Sequence, residues 1–315
     1  MTLALTMCDL KIIDAHAHLW ERQDAVVEGK RILTLHNGMS DFMGEIRQMM
    51  PAYMTDGFNS AERFLANMDY ARVSAAVITQ EYIDGSQNRY LSQVKDKYSD
   101  RLFCCGMVEM RRDSGFFQEA QELYRQGFKA IKIPAQRLRI PDRTWMLTSE
   151  EAMEMFRFME RNGMVLSIDL AAGTAQIGEM EEIIAECPDL KIAIGHFGMV
   201  TVDGWEEQIK LARHKNVMVE SGGITWLFNA EFYPFAGAVK AIRRAADLVG
   251  MDHLMWGSDY PRTMVAVTYK MSYDFVLKSN LLEDTEKALF LGLNAERFYG
   301  FTNLTVPPYI KNMVE

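Results

Sequence analysis

Short apolar runs alternate with longer stretches of helical periodicity along almost the whole chain. The runs Ile12–Ala15, Val73–Thr79, Leu102–Val108, Ala130–Ile133, Val165–Asp169, Ile192–Gly195, Val217–Glu220 and His253–Gly257 show no apolar/polar alternation. Strands of that kind suit a parallel sheet buried on both faces. Amphipathic patterns predict helices over Ser60–Tyr70, Asn88–Tyr98, Phe116–Gln126, Ser149–Arg161, Ala175–Glu186, Gly204–His214, Ala236–Val249 and Asp284–Tyr299. Capping-box spacing at Asn59 with Glu62, and at Thr148 with Glu151, marks two helix starts. Gly127, Gly163 and Gly250 stand just past helix ends, where a left-handed residue is wanted. Eight strand-then-helix units in order predict an α/β protein, a (β/α)8 or TIM barrel, with a doubly wound open sheet as the rival.

Two segments break the repeat. Residues 19–59 separate the first strand from its helix, and a connection this long is normally functional, as a lid or pocket wall. A short helix is expected within it at Asp41–Met50, and Trp20 and His36 are its candidates for substrate contact. Residues 300–315 form a tail with Pro307-Pro308, expected to run extended against the barrel or a partner subunit. With no linker or low-complexity stretch, 1–315 reads as a single domain.

Charge and composition narrow the function. The formal net charge is −9 and no basic run exceeds two residues, which argues against nucleic-acid binding. No apolar stretch reaches the ~18 residues of a membrane span. The start, MTLALTMCDL, lacks a basic region and a cleavage site, so no signal peptide is expected. Four cysteines without C-x-x-C spacing fit reduced thiols in a cytoplasmic protein. Cys8, Cys104 and Cys105 have no basic partner nearby in sequence, so no thiol nucleophile is expected. The partner expected is a small-molecule substrate, with a homodimer compatible.

Three motifs carry candidate chemistry. In Ile13-Asp14-Ala15-His16-Ala17-His18 the two histidines are two apart on a strand, so both point the same way and can grip one ion. Ile194-Gly195-His196-Phe197-Gly198 ends an apolar strand in a glycine-flanked histidine. Gly257-Ser258-Asp259-Tyr260-Pro261-Arg262 delivers an acid at the end of the last strand. In a closed barrel, strands one and eight are neighbours and functional side chains converge on the carboxyl face. His16, His18 and Asp259 would then share one divalent ion, Zn²⁺ or Mn²⁺ or Fe²⁺, with His196 across the pocket. Such an ion lowers the pKa of its water toward ~7. A carboxylate beside that water can take its proton, and an imidazole opposite can polarise a carbonyl.

Taken together, these motifs resemble the amidohydrolase superfamily, in the branch that includes aminocarboxymuconate-semialdehyde decarboxylase, other non-oxidative decarboxylases and related lactonases. Asn294-Ala295-Glu296-Arg297-Phe298, Gly127 to Ile133, and Gln87 to Leu91 add to the resemblance, which spans roughly residues 12 to 299. It implies His16, His18 and Asp259 as metal ligands and His196 as a catalytic histidine. Relatives usually end strand five in a histidine; here that position is Asp169, which could ligate through oxygen, favouring Mn²⁺ over Zn²⁺, or leave the ion weakly held or absent. Zn²⁺ is the leading expectation. Lys132 is expected in a structural or substrate-carboxylate role rather than as a carbamate. Arg262 could bind a substrate carboxylate or pair with a surface acid. Glu109 and Glu220, at the ends of strands three and seven, could be pocket groups, with helix capping or salt bridges the commoner role for such acids, and His214 is expected to serve a helix dipole. The leading function is metal-dependent hydrolysis of a small amide, ester or lactone. Non-oxidative decarboxylation of an aromatic or dienoic acid is the alternative, and a catalytically silent ligand-binding barrel the third.

Overall fold

A computed structural model describes residues 10–140, 143–311 and 313. The amino-terminal segment read for targeting, with Cys8, lies outside the described residues, as do positions 312, 314 and 315 of the tail. Eight parallel strands form the barrel: Ile12–His18, Val73–Thr79, Leu102–Cys104 continued by Gly106–Met107, Ala130–Ile133, Val165–Ile168, Lys191–Ile194, Val217–Glu220 and Leu254–Met255. Successive strands pair in parallel. Strand three is interrupted at Cys105, whose N–H donates to Ile78 O at 2.9 Å. Closure is made by backbone bonds between strand one and the residues after strand eight: Ala15 N to Trp256 O at 2.9 Å, Asp259 N to His16 O at 2.8 Å, and His18 N to Tyr260 O at 2.8 Å. The open-sheet rival is thereby excluded.

Strand composition follows from burial on two faces. Ile13, Ala15, Ala75, Val77, Ala130, Val165 and Ala193 belong to a small inner cluster, distinct from the large core beneath the helices. Alanine recurs there because side chains from opposite strands meet at close packing density. Phe298, Tyr299 and Leu304 complete this inner cluster, so the end of the last helix and the tail close the amino-terminal mouth. The tail runs without regular structure, and Pro307 O accepts from Arg72 Nε at 3.0 Å.

The first and fourth helices start one residue later than their capping signals implied. Ser60 and Ser149 are the N-caps, accepting from Arg63 N and Ala152 N. The eighth strand ends at Met255, and His253 before it bonds Val217 O.

The insertion corrects one expectation outright. Asp41–Met50 is not a helix. Residues 24–48 form a four-stranded antiparallel sheet, Asp24–Val27, Lys30–Thr34, Met39–Phe42 and Glu45–Gln48. Two of its turns are the pairs Glu28-Gly29 and Met43-Gly44, and all four residues have positive φ. That geometry matches the right-handed twist of a hairpin and is the usual reason for X-Gly in a two-residue loop. The sheet lies at the carboxyl end of the barrel. Trp20 and Asn59 bridge its base, Gln23 Nε2 donates to Asp84 Oδ1 after strand two at 2.7 Å, and Tyr53 reaches Met264 after strand eight. His36 sits exposed in a turn of this insert. No described helix is long and apolar enough to cross a membrane.

Candidate metal and catalytic site

Strand one places His16 and His18 on one face, both almost fully buried, with their Nε2 atoms 3.0 Å apart. Asp259, after strand eight, has Oδ1 3.1 Å from His18 Nε2 and 3.9 Å from His16 Nε2. Its other oxygen accepts from Trp226 Nε1 at 2.9 Å. Burial would raise the Asp259 carboxyl, but contact with His18 and the Arg262 charge outweigh it and hold it well below the usual range. Burial pushes His18 well below its ordinary value, and the Arg262 charge works in the same direction.

Strands five and six bring a second group. Asp169 Oδ1 pairs with Lys132 Nζ at 2.5 Å, and Oδ2 lies 3.4 Å from His196 Nε2. The other ring nitrogen of His196 is 3.0 Å from Gly222 O. Burial would lower His196, yet Asp169, Asp259 and Glu220 outweigh it and raise its pKa to about 10. Burial likewise opposes ionisation of Asp169, but Lys132 and His196 hold it well below the usual carboxylate range. His16, His18 and Asp259 form one set of donor atoms within 4.8 Å of one another, and His16, Asp169 and His196 form another.

Around these lie residues whose part the sequence did not disclose. Glu220, for which capping or pairing is the leading expectation and a pocket role the alternative, has Oε1 2.6 Å from His16 Nδ1. Asp84, in the loop after strand two, lies 3.7 Å from His18 Nδ1. Burial raises its carboxyl despite Arg262 and Gln23. Asp14 accepts from Ser258 Oγ at 2.5 Å and Tyr269 OH at 2.8 Å, tying strand one to the strand-eight loop, and burial raises it to about 6. Trp226 follows strand seven on a four-residue turn. An acid closing the apolar run Val217-Met218-Val219 was a readable signal for Glu220; Asp84 and Trp226 had none, because they sit on loops.

The remaining candidates fall into place. Arg262 does not meet a surface acid. It donates to buried Asp84 Oδ1 at 2.5 Å and lies 3.7 Å from Asp259 Oδ1. Trp20 is fully buried beneath it, its ring 5.7 Å from the guanidinium and its N–H bonded to Gly57 O. Lys132 is fully buried in its ion pair with Asp169. Glu109 pairs with Arg111 and exposed His214 with Glu181. Burial pushes the Cys105 thiol up to about 12 and Cys104 further still, so neither is a ready nucleophile. His196, Trp226 and Arg262 are partly open to solvent, whereas His16, His18, Asp169 and Asp259 are buried.

The residues fit a divalent cation. Four carboxylates, those of Asp84, Asp169, Glu220 and Asp259, surround three imidazoles, against two permanent cations, Lys132 and Arg262. With the three imidazoles counted as neutral the deficit is two positive charges, of which the His196 proton supplies one in ion-free protein. Asp169 Oδ2 and Asp259 Oδ1 are buried without a hydrogen-bond partner, a costly condition unless something positive lies between them. Mixed imidazole and carboxylate donors suit Zn²⁺ and Mn²⁺.

A closed (β/α)8 barrel with such a donor set at its carboxyl face defines an enzyme scaffold. The chain belongs to the amidohydrolase family, whose model matches residues 13–301, and it is an enzyme. A structure described as a probable 2-pyrone-4,6-dicarboxylic acid hydrolase of Acinetobacter baumannii, with citric acid bound, is similar at TM-score 0.66 and 19% identity over 93% of this chain and 100% of that one. An amidohydrolase of Burkholderia multivorans with bound zinc is similar at TM-score 0.66 and 15% identity over 92% and 99%. The 5-carboxyvanillate decarboxylase of Sphingomonas paucimobilis is similar at TM-score 0.64 and 15% identity over 93% and 100%. At these identities the likeness is one of fold.

Proposed function

We propose that the protein is a cytoplasmic, divalent-metal-dependent hydrolase, acting on the carbonyl of a small ester, lactone or amide. The observation that carries this reading is the convergence of His16, His18, Asp169, His196 and Asp259 on one buried spot whose carboxylates outnumber its permanent cations by two. His16, His18 and Asp259 would hold the cation, with Asp169 on its far side; Zn²⁺ is the leading candidate and Mn²⁺ the second. When bound, the cation supplies a water of lowered pKa and polarises the substrate carbonyl. Asp259 takes the proton of the attacking water, its carboxylate kept in place by the Trp226 N–H. His196, partly open to solvent, donates to the oxygen on which charge develops.

Hydrolysis of an uncharged carbonyl is preferred to decarboxylation for one reason. A ring carboxylate would pair with a permanent cation, and Lys132 is held by Asp169 while Arg262 is engaged by Asp84 and faces Asp259. The test is direct. Protein purified without chelator is incubated with a panel of lactones, esters and amides and, separately, with aromatic acids. Acid release from the first panel that chelator abolishes is the expected result. Release of CO₂ from the second, with no acid from the first, would move the protein to the lyases.

A further inference from the structure

We propose that Glu220 is a positioning residue that sets the hydrogen of His16 on Nδ1, so that His16 turns a bare Nε2 toward the cation spot, and that anchors the turn against which the His196 ring is held. The inference rests on the reading of that spot as a cation site. Glu220 Oε1 lies 2.6 Å from His16 Nδ1 and accepts from His196 N at 3.3 Å. Oε2 accepts from Gly222 N at 2.5 Å. Gly222 in turn presents its carbonyl oxygen to His196 Nδ1 at 3.0 Å. A ring nitrogen that faces a carboxylate or carbonyl oxygen this closely must carry the hydrogen, because two lone pairs repel. In the neutral His16 ring the hydrogen is then on Nδ1, and Nε2 is the lone-pair nitrogen. Glu220 does this to His16 by contact; through the turn it anchors, it fixes the orientation of the His196 ring, whose Nε2 faces Asp169.

The surrounding backbone leaves room for this carboxylate and its neighbours. A Cβ on Gly195 would meet Asp169 Oδ1 and, at 2.7 Å, Glu220 Oε1; on Gly222 it would meet Oε2 at 2.9 Å and the His16 ring at 3.0 Å; on Gly257 it would meet Oε2 at 2.5 Å and His16 Cβ at 2.7 Å. Those glycines follow strands six, seven and eight, so three strand ends leave the space that only a missing side chain provides. Glu220 is 2% exposed and does not face substrate.

The experiment reads tautomer and metal affinity, both independently of turnover. Imidazole nitrogen NMR on ion-free wild-type protein, at mildly alkaline pH, should show the His16 hydrogen on Nδ1; finding it on Nε2 overturns the inference. Glu220→Gln keeps the volume but sets an amide NH₂ against either the His16 ring N–H or the Gly222 N–H. Zinc affinity, measured by competition with a chromophoric chelator, should fall ~10–100-fold, the usual effect of losing the group behind a ligating histidine. Zinc affinity equal to wild type in a folded Glu220→Gln protein also overturns the inference. Should Glu220→Gln fail to fold, the wild-type tautomer decides. If wild-type protein takes up no zinc, the cation reading fails, while the His16 tautomer still judges Glu220.

Discussion

Replacing Lys132 by methionine removes the only cation within contact of Asp169 Oδ1 and leaves a carboxylate 1% exposed with no charge partner on that side. Met nearly conserves volume and stem, so the effect isolates the charge. Breaking a buried pair by deleting one partner costs about 3–5 kcal/mol, because the survivor remains desolvated. Set against a typical total of ~5–15 kcal/mol, that is a large fraction of the stability. At roughly 2 °C per kcal/mol for a chain of this size, the midpoint of ion-free protein should fall by about 6–10 °C. Lys132→Met with Asp169→Leu removes both charges and should recover much of the loss, giving a coupling energy of ~1–3 kcal/mol. Thermal and urea unfolding of the four proteins of this cycle, all free of metal, measure it. Saturating Zn²⁺ should restore part of the loss in Lys132→Met alone, since the cation replaces the missing positive charge beside Asp169. Losses below about 1 kcal/mol in the single variant, or strict additivity in the cycle, would refute the reasoning.

Other expectations follow from the same contacts. His196 has a folded pKa raised to about 10 from an ordinary ~6.5, so its proton stabilises ion-free protein fully below ~6.5, and that contribution is lost as pH rises through 10. In urea unfolding of ion-free protein from neutral pH upward, that contribution should therefore fade in the wild type and be missing from His196→Asn; the same pH profile in both proteins would contradict the assignment. His196→Asn should lower kcat by ~10²-fold or more, as for loss of a general acid or oxyanion donor, and unchanged turnover would remove it from the reaction. Trp226→Phe deletes the N–H that holds Asp259 Oδ2 and should lower kcat/KM by ~10–100-fold, the effect of losing a hydrogen bond to a charged group; a wild-type value would show that Asp259 needs no such anchor.

The barrel was legible because each strand is a short unbroken apolar run followed by a helical period, and nothing in residues 60–299 competes with that pattern. The His-x-His pair was legible because side chains two apart on a strand share a face. Asp41–Met50 reads as a helix because the strands that cover it, Met39–Phe42 and Glu45–Gln48, are short and polar with only Ser40 buried, so no apolar face there imposes a period of two. Gly44 was the overlooked clue. Asp84 and Trp226 escaped notice because loops bring them to the site and carry no periodicity. Arg262 was placed at the right face, but its two acid neighbours come from distant positions in the sequence, so its pairing was invisible before folding. Glu220 shows the reverse case, since its position at a strand end was readable and its contact with His16, 204 residues away, was not.

Whether His16, His18 and Asp259 hold a divalent cation is read from crystals of protein saturated with zinc, measured at the zinc absorption edge. One strong anomalous peak is expected about 2.0–2.2 Å from His16 Nε2, His18 Nε2 and a carboxylate oxygen of Asp259. A map without a peak there, from crystals whose protein shows catalytic turnover, would contradict that reading.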